Sequence, residues 1–348
     1  MRSASSGSSI FRPPPGLYSP CRRALRSLEL SLLIATCDHR WHATSVGAVH
    51  HEEIVAMADL PKELVEEVEA SLRAYRAHTY RTSPSLRLHS LEQAVEFVRE
   101  RGFILFWPIK NLDLPSLWVA VAGDRPVAAE HDDPGHVTWR WKDEMLSKRR
   151  WYYGKLLRGK ATLVSLDLLA AFYALSPRLA DTDDFREAYH EGGLTREALQ
   201  VAEAILREGP LDTIALRRAA GLSRPQAKYR FDRALTELQR GLWILPVGVA
   251  KAGAWRYAFV YELFDRWYPG IPAQAAVLSE EEARAQIVDD LLRSVGIASP
   301  MAIATALRWK REAVNRAILN LVESRRALHL PDGGAVHHNL LHFLEPAS

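Results

Sequence analysis

The stretch that decides the fold covers residues 211–260 and reads LDTIALRRAAGLSRPQAKYRFDRALTELQRGLWILPVGVAKAGAWRYAFV. Its first part, Thr213 to Ala220, predicts a short amphipathic helix, and Gly221 suits a helix end because glycine takes a left-handed conformation without steric cost. Apolar residues then recur every three or four positions, at Ala227, Phe231, Ala234, Leu235 and Leu238. This spacing predicts a second helix. Two β-rich runs, LWILPV and YAFVY, flank AKAGAWR and indicate a hairpin, so the stretch reads as a winged helix.

The other face of the second helix is basic, polar and aromatic. It carries Arg224, Gln226, Lys228, Tyr229, Arg230 and Arg233. Such a face is what DNA contact through a helix-turn-helix requires. We therefore predict DNA contacts for Arg224, Gln226, Lys228 and Arg230. The alternative is a winged helix that contacts proteins and has a solvated basic face, since these units serve more than one function.

Composition sets the outer limits. The chain has 348 residues, a net charge of +3 and 48% hydrophobic residues, enough for two or three domains with buried cores. The charge is too small to indicate nucleic-acid binding by itself, so the distribution of charges matters. Both cysteines, Cys21 and Cys37, lie near the N-terminus, which excludes a cysteine metal site in the folded part. No apolar run approaches the roughly 18 residues of a membrane span. We expect a cytoplasmic, nucleoid-associated monomer with no membrane contact.

Residues 1–56 differ from the rest of the chain. They are rich in Ser, Pro and Arg and show no sustained periodicity. We interpret them as a disordered N-terminal extension, or as the product of a start codon assigned too early. In the second case Met57, which directly precedes a good helix start, opens the protein.

The pattern of the central stretch recurs on both sides of it. Residues 57–135 contain two amphipathic helices, a glycine stop at Gly102 and the apolar run FILFW, and residues 266–348 contain three helices and the hairpin ALHLPDGGAVHH. In that hairpin Asp332-Gly333-Gly334 supplies positions that accept a positive φ. We predict a helix-rich α+β chain with three tandem winged-helix modules in one compact unit, at residues 57–135, 194–265 and 266–348.

Residues 136–193, between the first two modules, open with the most unusual composition in the chain. The segment HVTWRWKDEMLSKRRWYYGKLLRGK, residues 136–160, has eight basic and two acidic side chains, a net +6, with aromatic residues interleaved. Cations neutralise phosphates, and flat rings stack on exposed bases. The predicted DNA contacts are Arg140, Lys142, Lys148, Arg149, Arg150, Tyr152 and Lys155. Alternatively, the segment is an amphipathic helix with a solvated basic side, with Trp141, Met145, Tyr152 and Leu156 on one face. The acidic residues 181–193 would be a linker.

Known catalytic motifs are absent. The sequence has no phosphate-binding GxxxxGK[ST], no GxGxxG after a strand, no HExxH and no GxSxG. The two adjacent His pairs lack nearby ligand partners, so we predict no metal and no cofactor. In the loop DDPGH, Asp133 and His136 could serve as a base or orient water. The alternative is a turn with an Asp N-cap.

Three segments resemble the AlkZ-related group of the AlkZ-type DNA glycosylases, which are winged-helix-repeat proteins. They are FWPIKNLDLPSLWVAVAGDRPV, DDPGHVTWRWKDEMLSKRRWYYGKLLRGKATLVSLDLL and GPLDTIALRRAAGLSR. The resemblance covers about residues 60–345. It implies a concave surface for DNA and an enzyme that excises alkylated bases and opens interstrand crosslinks.

One departure from the family pattern changes this expectation. The AlkZ-type enzymes carry a Gln-apolar-Gln or Gln-apolar-Asp motif on the strand after the first module's glycine stop, and its side chains are thought to hold the attacking water. Here Leu105 and Trp107 take the two polar positions, and neither can orient water through a carboxylate or amide oxygen. We therefore predict a protein that binds duplex DNA, with damaged duplex as one option, without this chemistry.

Two alternatives remain open. In the first, the chain is a monofunctional DNA N-glycosylase for alkylated bases with a relocated catalytic group, for which Asp133, His136 and Asp113 are candidates. Trp107 would then stack on a flipped base. In the second, the chain is a winged-helix protein-interaction module.

Overall fold

A computed structural model describes residues 62–179, 181–331 and 333–344. The predictions for the N-terminal extension, for Met57 as the start and for Asp332 in the third hairpin lie outside the described residues. Within them, helices predominate and the strands form small antiparallel sheets, which confirms the helix-rich α+β prediction.

Among the described residues, 62–164 form four α-helices and one sheet. Its elements are α1 (Lys62–Thr79), α2 (Leu91–Arg101), β1 (Phe103–Leu105), α3 (Leu117–Ala122), α4 (Val137–Leu146), β2 (Tyr152–Gly154) and β3 (Thr162–Val164). Helix α2 begins with a capping box between Ser90 and Gln93 and ends at Gly102, whose φ of 74° is the left-handed conformation expected of a glycine stop. The segment Leu117–Ala122, which the sequence left open between strand and helix, is a buried helix capped by Ser116.

The central part follows the predicted order of helices and hairpin. Its elements are α5 (Leu166–Ala174), α6 (Phe185–His190), α7 (Arg196–Glu208), β4 (Leu211–Asp212), α8 (Thr213–Ala219), α9 (Lys228–Arg240), β5 (Ile244–Ala250) and β6 (Ala258–Leu263). Asp212 caps α8 by accepting hydrogen bonds from two backbone amides. Gly221 has a φ of 68°, as its predicted role requires. The predicted apolar stripe of α9 is buried, with Phe231 and Leu238 fully inaccessible.

The last part repeats the pattern. Its elements are α10 (Phe264–Trp267), α11 (Ile271–Ala275), α12 (Glu280–Val295), β7 (Ile297–Ala298), α13 (Pro300–Leu307), α14 (Arg311–Glu323), β8 (Ala327–His329), β9 (Ala335–His337) and α15 (His338–Leu344). Helix α12 begins with a capping box between Ser279 and Glu282. Helices α12, α13 and α14 correspond to the three helices predicted within residues 266–348.

The three sheets share one topology. Each described sheet has three antiparallel strands, and the strand that comes last in the chain lies in the middle: the orders are β1-β3-β2, β4-β6-β5 and β7-β9-β8. In the first sheet, Phe103 and Tyr152 both face Val164 across the ladder.

This topology corrects the predicted boundary at residue 135. Strand β1 lies before the boundary, and both of the other strands in its sheet lie after it. The basic segment, which contains β2, is therefore part of the same structural unit as β1. It is also not a single helix, because α4 ends at Leu146 and Tyr152 lies in a strand, so the shared helical face predicted for Trp141, Met145, Tyr152 and Leu156 does not exist.

Hydrophobic packing joins these parts. One buried cluster combines the first sheet with α5 and with two helices of the last part, α12 and α14. The central helices enclose a cluster of their own around Phe185, Phe231 and Trp243. A third cluster lies under α2, α3 and α4 and contains Phe106, Trp141 and Trp151. These cores hold the basic segment between the first sheet and the central hairpin.

Candidate nucleic-acid interface

Nine of the residues predicted to contact DNA are exposed. In the basic segment they are Arg140, Lys148, Arg149, Arg150 and Lys155, and in the central unit they are Arg224, Gln226, Lys228 and Arg230. The segment Ser147–Arg150, which we call the basic turn, directly follows α4 and is exposed throughout. The guanidinium group of Arg149 stacks 4.1 Å from the ring of Trp267, which restricts its orientation. The described structure therefore has an accessible cluster of cations where the sequence predicts one.

Two predicted contacts, Lys142 and Tyr152, are instead buried, with no measurable side-chain or residue exposure. Tyr152 lies in β2 and its hydroxyl donates to the carbonyl oxygen of Gln239 at 3.4 Å. Burial raises the pKa of its hydroxyl. Both residues are thus removed from the predicted set of DNA contacts, because a side chain without exposure cannot contact a duplex in this conformation. The sequence pattern gave no sign that Lys142 is buried, whereas a place for Tyr152 on an apolar face was the alternative interpretation.

Lys142 lies in a cage of aromatic rings. Its Nζ is 4.5 Å from the ring centres of Trp139 and Phe259, 5.5 Å from those of Tyr153 and Tyr257, and 5.8 Å from that of Phe106. The Nζ also donates to the Tyr257 hydroxyl at 2.9 Å and lies 2.8 Å from a carboxylate oxygen of Asp143. Burial lowers the pKa of Lys142, and the hydrogen bond with Asp143 opposes this effect.

Contacts of the basic segment bring it against α9 and the central hairpin. Besides the contacts of Lys142 and Tyr152, the Nζ of Lys155 donates to Thr236 at 3.2 Å, and the backbone amide of Lys155 donates to the Gln239 side chain at 3.2 Å. Thr236 and Gln239 lie on the second half of α9. The basic segment therefore contacts the helix that carries Lys228 and Arg230, near the other end of that helix.

The exposed face of α9 is partly neutralised. Lys228 forms an ion pair with Asp232 at 2.8 Å, and Arg230 forms one with Glu197 at 2.9 Å. Both Lys228 and Arg230 are well exposed, so solvent screens these pairs and the cations stay available to a phosphate. Tyr229, between them, is 75% exposed. This face can therefore offer both charge and a ring.

The tip of the central hairpin carries a residue that the sequence reasoning did not single out. Trp255 lies between β5 and β6 and is 91% exposed, flanked by the exposed cations Lys251 and Arg256. An exposed indole ring beside cations is the combination that can stack on a nucleic-acid base. The signal was present in the sequence as a tryptophan next to arginine within a predicted hairpin turn.

A groove of about 760 Å³ runs along the other side of α4. Its charged lining includes the cations Arg87, Arg125, Arg140 and Lys148 and the carboxylates Glu92 and Glu144. Two of the predicted DNA contacts, Arg140 and Lys148, therefore line a concave surface with an excess of positive charge.

Leu105 and Trp107 occupy the two positions that are polar in the resembled glycosylases. Both are apolar residues, and apolar side chains surround them. Leu105 is fully buried in the main core. Trp107 is half-buried, with its ring centre 5.3 Å from that of Phe106 and 5.4 Å from that of Trp139, and its Nε1 has no hydrogen-bond partner among the described residues. Trp139, beside it, is 37% exposed. The ring that was predicted to stack on a base thus lies at the edge of the aromatic cage.

Each of the three candidate catalytic residues forms contacts that stabilise the local structure. Asp133 accepts two hydrogen bonds from Arg125, at 2.6 and 3.0 Å, and one from the backbone of Gly135 at 2.7 Å. The bond from Arg125 is the main reason why the pKa of Asp133 is lowered, whereas a general base works best with a pKa near the operating pH. The arrangement matches the alternative interpretation, a turn with an Asp cap.

His136 and Asp113 are similarly engaged. The Nε2 of His136 lies 3.1 Å from the carbonyl oxygen of Ala128, and its ring packs on Trp118. Asp113 pairs with Arg76 and accepts a hydrogen bond from Tyr80 at 3.0 Å. Asp133 and His136 lie on one turn beside Trp118, on which Arg125 also stacks, whereas no described contact joins Asp113 to either of them.

Two other kinds of site have no candidate in the part of the chain that the structure describes. Among those residues, no group of three or more His, Cys, Asp or Glu side chains could hold a metal ion. None of the helices described is both long enough and apolar enough to span a membrane.

Comparison with known proteins identifies the family of this chain. No curated protein matches the sequence. Among solved structures, the chain is similar to that of Streptomyces sahachiroi DNA glycosylase AlkZ, with 12% sequence identity, a TM-score of 0.48, and coverage of 80% of this chain and 72% of that one. The sequence model described as AlkZ related matches residues 88–308, which include the basic segment, the central helices and the hairpin. Since this match extends over more than half of the sequence, the protein belongs to the AlkZ-related family.

Proposed function

We propose that this protein binds duplex DNA through a surface formed by the basic turn, the exposed face of α9 and the central hairpin. In this proposal the three sheets with their neighbouring helices are winged-helix units on a DNA-glycosylase-like scaffold. Their shared strand order, with the last strand in the middle, supports this interpretation. Membership of the AlkZ-related family supports DNA as the partner.

One observation carries the proposal: the basic segment and the central unit are in direct contact. Lys155 contacts Thr236 and Gln239 on α9, and Lys142 and Asp143 contact Tyr257 at the hairpin. Exposed cations from two distant parts of the sequence can therefore face one ligand. A duplex presents a regular array of phosphates, which is the partner that such an extended cationic surface fits.

We further propose that the protein does not use the base-excision chemistry of its glycosylase relatives. Leu105 and Trp107 offer no oxygen to hold an attacking water, and Asp133 is fully engaged by Arg125 and Gly135. The exposed aromatic rings next to the cations suit a duplex whose bases are partly unstacked, because unstacked bases offer a face for stacking. Preference for damaged or distorted duplex is thus part of the proposal.

The test is a fluorescence anisotropy titration with an undamaged duplex and with the same duplex carrying an abasic-site analogue, each at two salt concentrations. We expect binding that weakens with salt and is tighter for the duplex with the analogue. Substituting Arg149→Glu and Arg150→Glu should weaken binding to both duplexes. It should also reduce the slope of log K against log salt by about 2, because two phosphates would no longer be neutralised.

A matched control is Arg73→Glu with Arg99→Glu, which changes the net charge equally at exposed positions on α1 and α2. This control should keep the salt slope. An equal effect of both double variants would reduce the result to net charge and contradict the assigned surface. No binding by the unmodified protein would reject the proposal and favour a protein partner.

A base-release assay on alkylated duplex separates the proposal from its enzymatic alternative. We expect no release above the uncatalysed rate. Release by the unmodified protein that disappears in Asp133→Asn would identify an active glycosylase with a relocated group, and release that persists would leave His136 and Asp113 as the remaining candidates.

A further inference from the structure

A closed triangle of polar groups joins α4 to the central hairpin. Lys142 donates from Nζ to the hydroxyl of Tyr257 at 2.9 Å, and this hydroxyl donates to a carboxylate oxygen of Asp143, also at 2.9 Å. The third side is the ion pair between Lys142 and Asp143, at 2.8 Å. Each of the three groups thus contacts both others.

The triangle depends on the positive charge of Lys142. Its side chain has no exposure, so water does not solvate the ammonium, and its partners must do so. The carboxylate, the hydroxyl and five aromatic rings within 5.8 Å provide this solvation. Asp143, by contrast, keeps 27% of its side chain exposed, so water also reaches its carboxylate.

The two ends of the triangle lie next to the elements that we assign to DNA. Tyr257 directly follows Trp255 and Arg256 at the hairpin tip and precedes β6. Lys142 and Asp143 lie in the last turns of α4, which leads into the basic turn. A change in the triangle would therefore alter how the hairpin tip is placed relative to the basic turn.

We propose that Lys142 is a positioning residue that holds the central hairpin against α4, so that the basic turn and Trp255 meet a duplex as one preorganised surface. This rests on the proposed function in its DNA-binding part. Lys142 contacts no phosphate in this role. Because Lys142 already holds the hairpin in place, the hairpin loses less conformational entropy when DNA binds, and the affinity is higher.

The test compares Lys142→Met with Lys155→Met. Methionine keeps most of the length and apolar volume of lysine. Removing one partner of an ion pair destabilises a protein most when the other partner stays buried, and Asp143 keeps 27% of its side chain exposed to water. Lys155→Met removes the same charge from an exposed position. Amide hydrogen exchange over residues 249–260 and anisotropy titrations at several salt concentrations are measured for both variants.

We expect Lys142→Met to speed exchange in the hairpin by about tenfold and to weaken DNA binding by roughly three- to tenfold, with the salt slope unchanged. Lys155→Met should leave hairpin exchange unchanged and reduce the salt slope by about 1. Tyr257→Phe removes only the bridging oxygen, and we expect it to reproduce the exchange result. It also keeps the test decisive if Lys142→Met does not fold.

Hairpin exchange at the unmodified rate in both Lys142→Met and Tyr257→Phe would overturn the proposal. So would faster exchange accompanied by full DNA affinity, because the hairpin position would then be irrelevant to binding. Failure of the unmodified protein to bind DNA would reject the proposed function and the DNA part of this inference, whereas the exchange data would still show whether Lys142 positions the hairpin.

Discussion

The carboxyl group of Asp290 is a buried acid at the junction of α12 with α2. Its side chain is only 13% exposed, and burial raises its pKa to about 6 in spite of the nearby Arg293 and Arg101. An exposed aspartate has a pKa of about 4. The folded state therefore binds this proton more tightly than the unfolded state. As the pH rises from about 4 to 6, the free energy of unfolding decreases, because the unfolded state loses the proton first.

Asp290→Asn should accordingly stabilise the protein at pH 8, by up to about 3 kcal/mol, because the amide resembles the protonated acid. Below about pH 4 the gain should vanish, since Asp290 is then protonated in both states. Urea unfolding at the two pH values measures the effect. Asp167→Asn, at a side chain that is 77% exposed, should change stability by less than about 0.5 kcal/mol. A decrease in stability at pH 8 would mean that the pair with Arg293 outweighs burial.

Single residues were predictable where their roles are local. Gly102 and Gly221 were predicted as helix ends, and both have a positive φ. Lys142 was predicted to face DNA and is instead buried. Its burial could not be predicted, because its partner Tyr257 lies 115 residues away in sequence. No local pattern reveals such a partner. Asp133 was left between a catalytic role and a cap, and only the positions of Arg125 and Gly135 distinguish the two.

At the scale of the element, the central hairpin is the feature with the clearest test. Its tip presents Trp255 with 91% of the residue exposed, beside Lys251 and Arg256. The Trp255 ring is not part of a hydrophobic core, so removing it should not affect folding.

Trp255→Ala should weaken binding to the duplex with an abasic-site analogue by about 5- to 100-fold, since stacking of an aromatic ring on a base contributes about 1–3 kcal/mol. The salt slope should not change, because the ring neutralises no phosphate. Trp255→Phe should retain part of the affinity. Val277→Ala, at another exposed apolar residue, is the control. Anisotropy titration measures all three, and full affinity in Trp255→Ala would exclude the tip from the interface.

The elements themselves were predicted unevenly. Helices α8 and α9 and the hairpin after them were expected from periodicity and turn residues, and they are present. The basic segment was expected to be one helix and is not, because α4 ends at Leu146 and the chain then enters β2. Its apolar residues fit a helical period by coincidence, since Tyr152 is buried through pairing with β3.

At the scale of the whole molecule, Gly102 connects two distant parts of the chain. It ends α2 with a φ of 74°, and a Cβ atom placed there would meet the side chain of Asp290 on α12. Gly221 is a matched comparison, with a φ of 68° and no atom within 4 Å of an added Cβ. The two glycines share the backbone requirement and differ in the surrounding atoms.

Gly221→Ala should therefore destabilise the protein by about 1 kcal/mol, the effect of a positive φ alone. Gly102→Ala should destabilise it more, by about 2–4 kcal/mol in total, because α2 and α12 must also separate. Thermal and urea unfolding of the two variants measure the difference. Equal destabilisation would indicate that Asp290 moves aside easily and that the junction is not tightly packed.

The boundary of the first module could not be predicted for a related reason. Strand β1 and its partner β3 are separated by the whole basic segment, and β3 offers only the three residues Thr162–Val164 as a signal. A short strand that pairs with a distant one has no periodicity long enough to identify it. The family resemblance, in contrast, rested on segments contiguous in sequence, and it is confirmed over residues 88–308.

The position of the last strand in the middle of each sheet has a consequence for synthesis on the ribosome. Among the strands, β1 pairs with β3, so most of the backbone edge of Phe103–Leu105 has no ladder partner until Val164 has emerged, although Leu105 also bridges to Ser116. The same delay applies to β4, which waits for β6, and to β7, which waits for β9. Exposed strand edges are sites of wrong pairing and aggregation. We therefore expect a nascent chain of this protein to bind a chaperone three times in succession. Each binding should end when the middle strand of a sheet, β3, β6 or β9, leaves the exit tunnel.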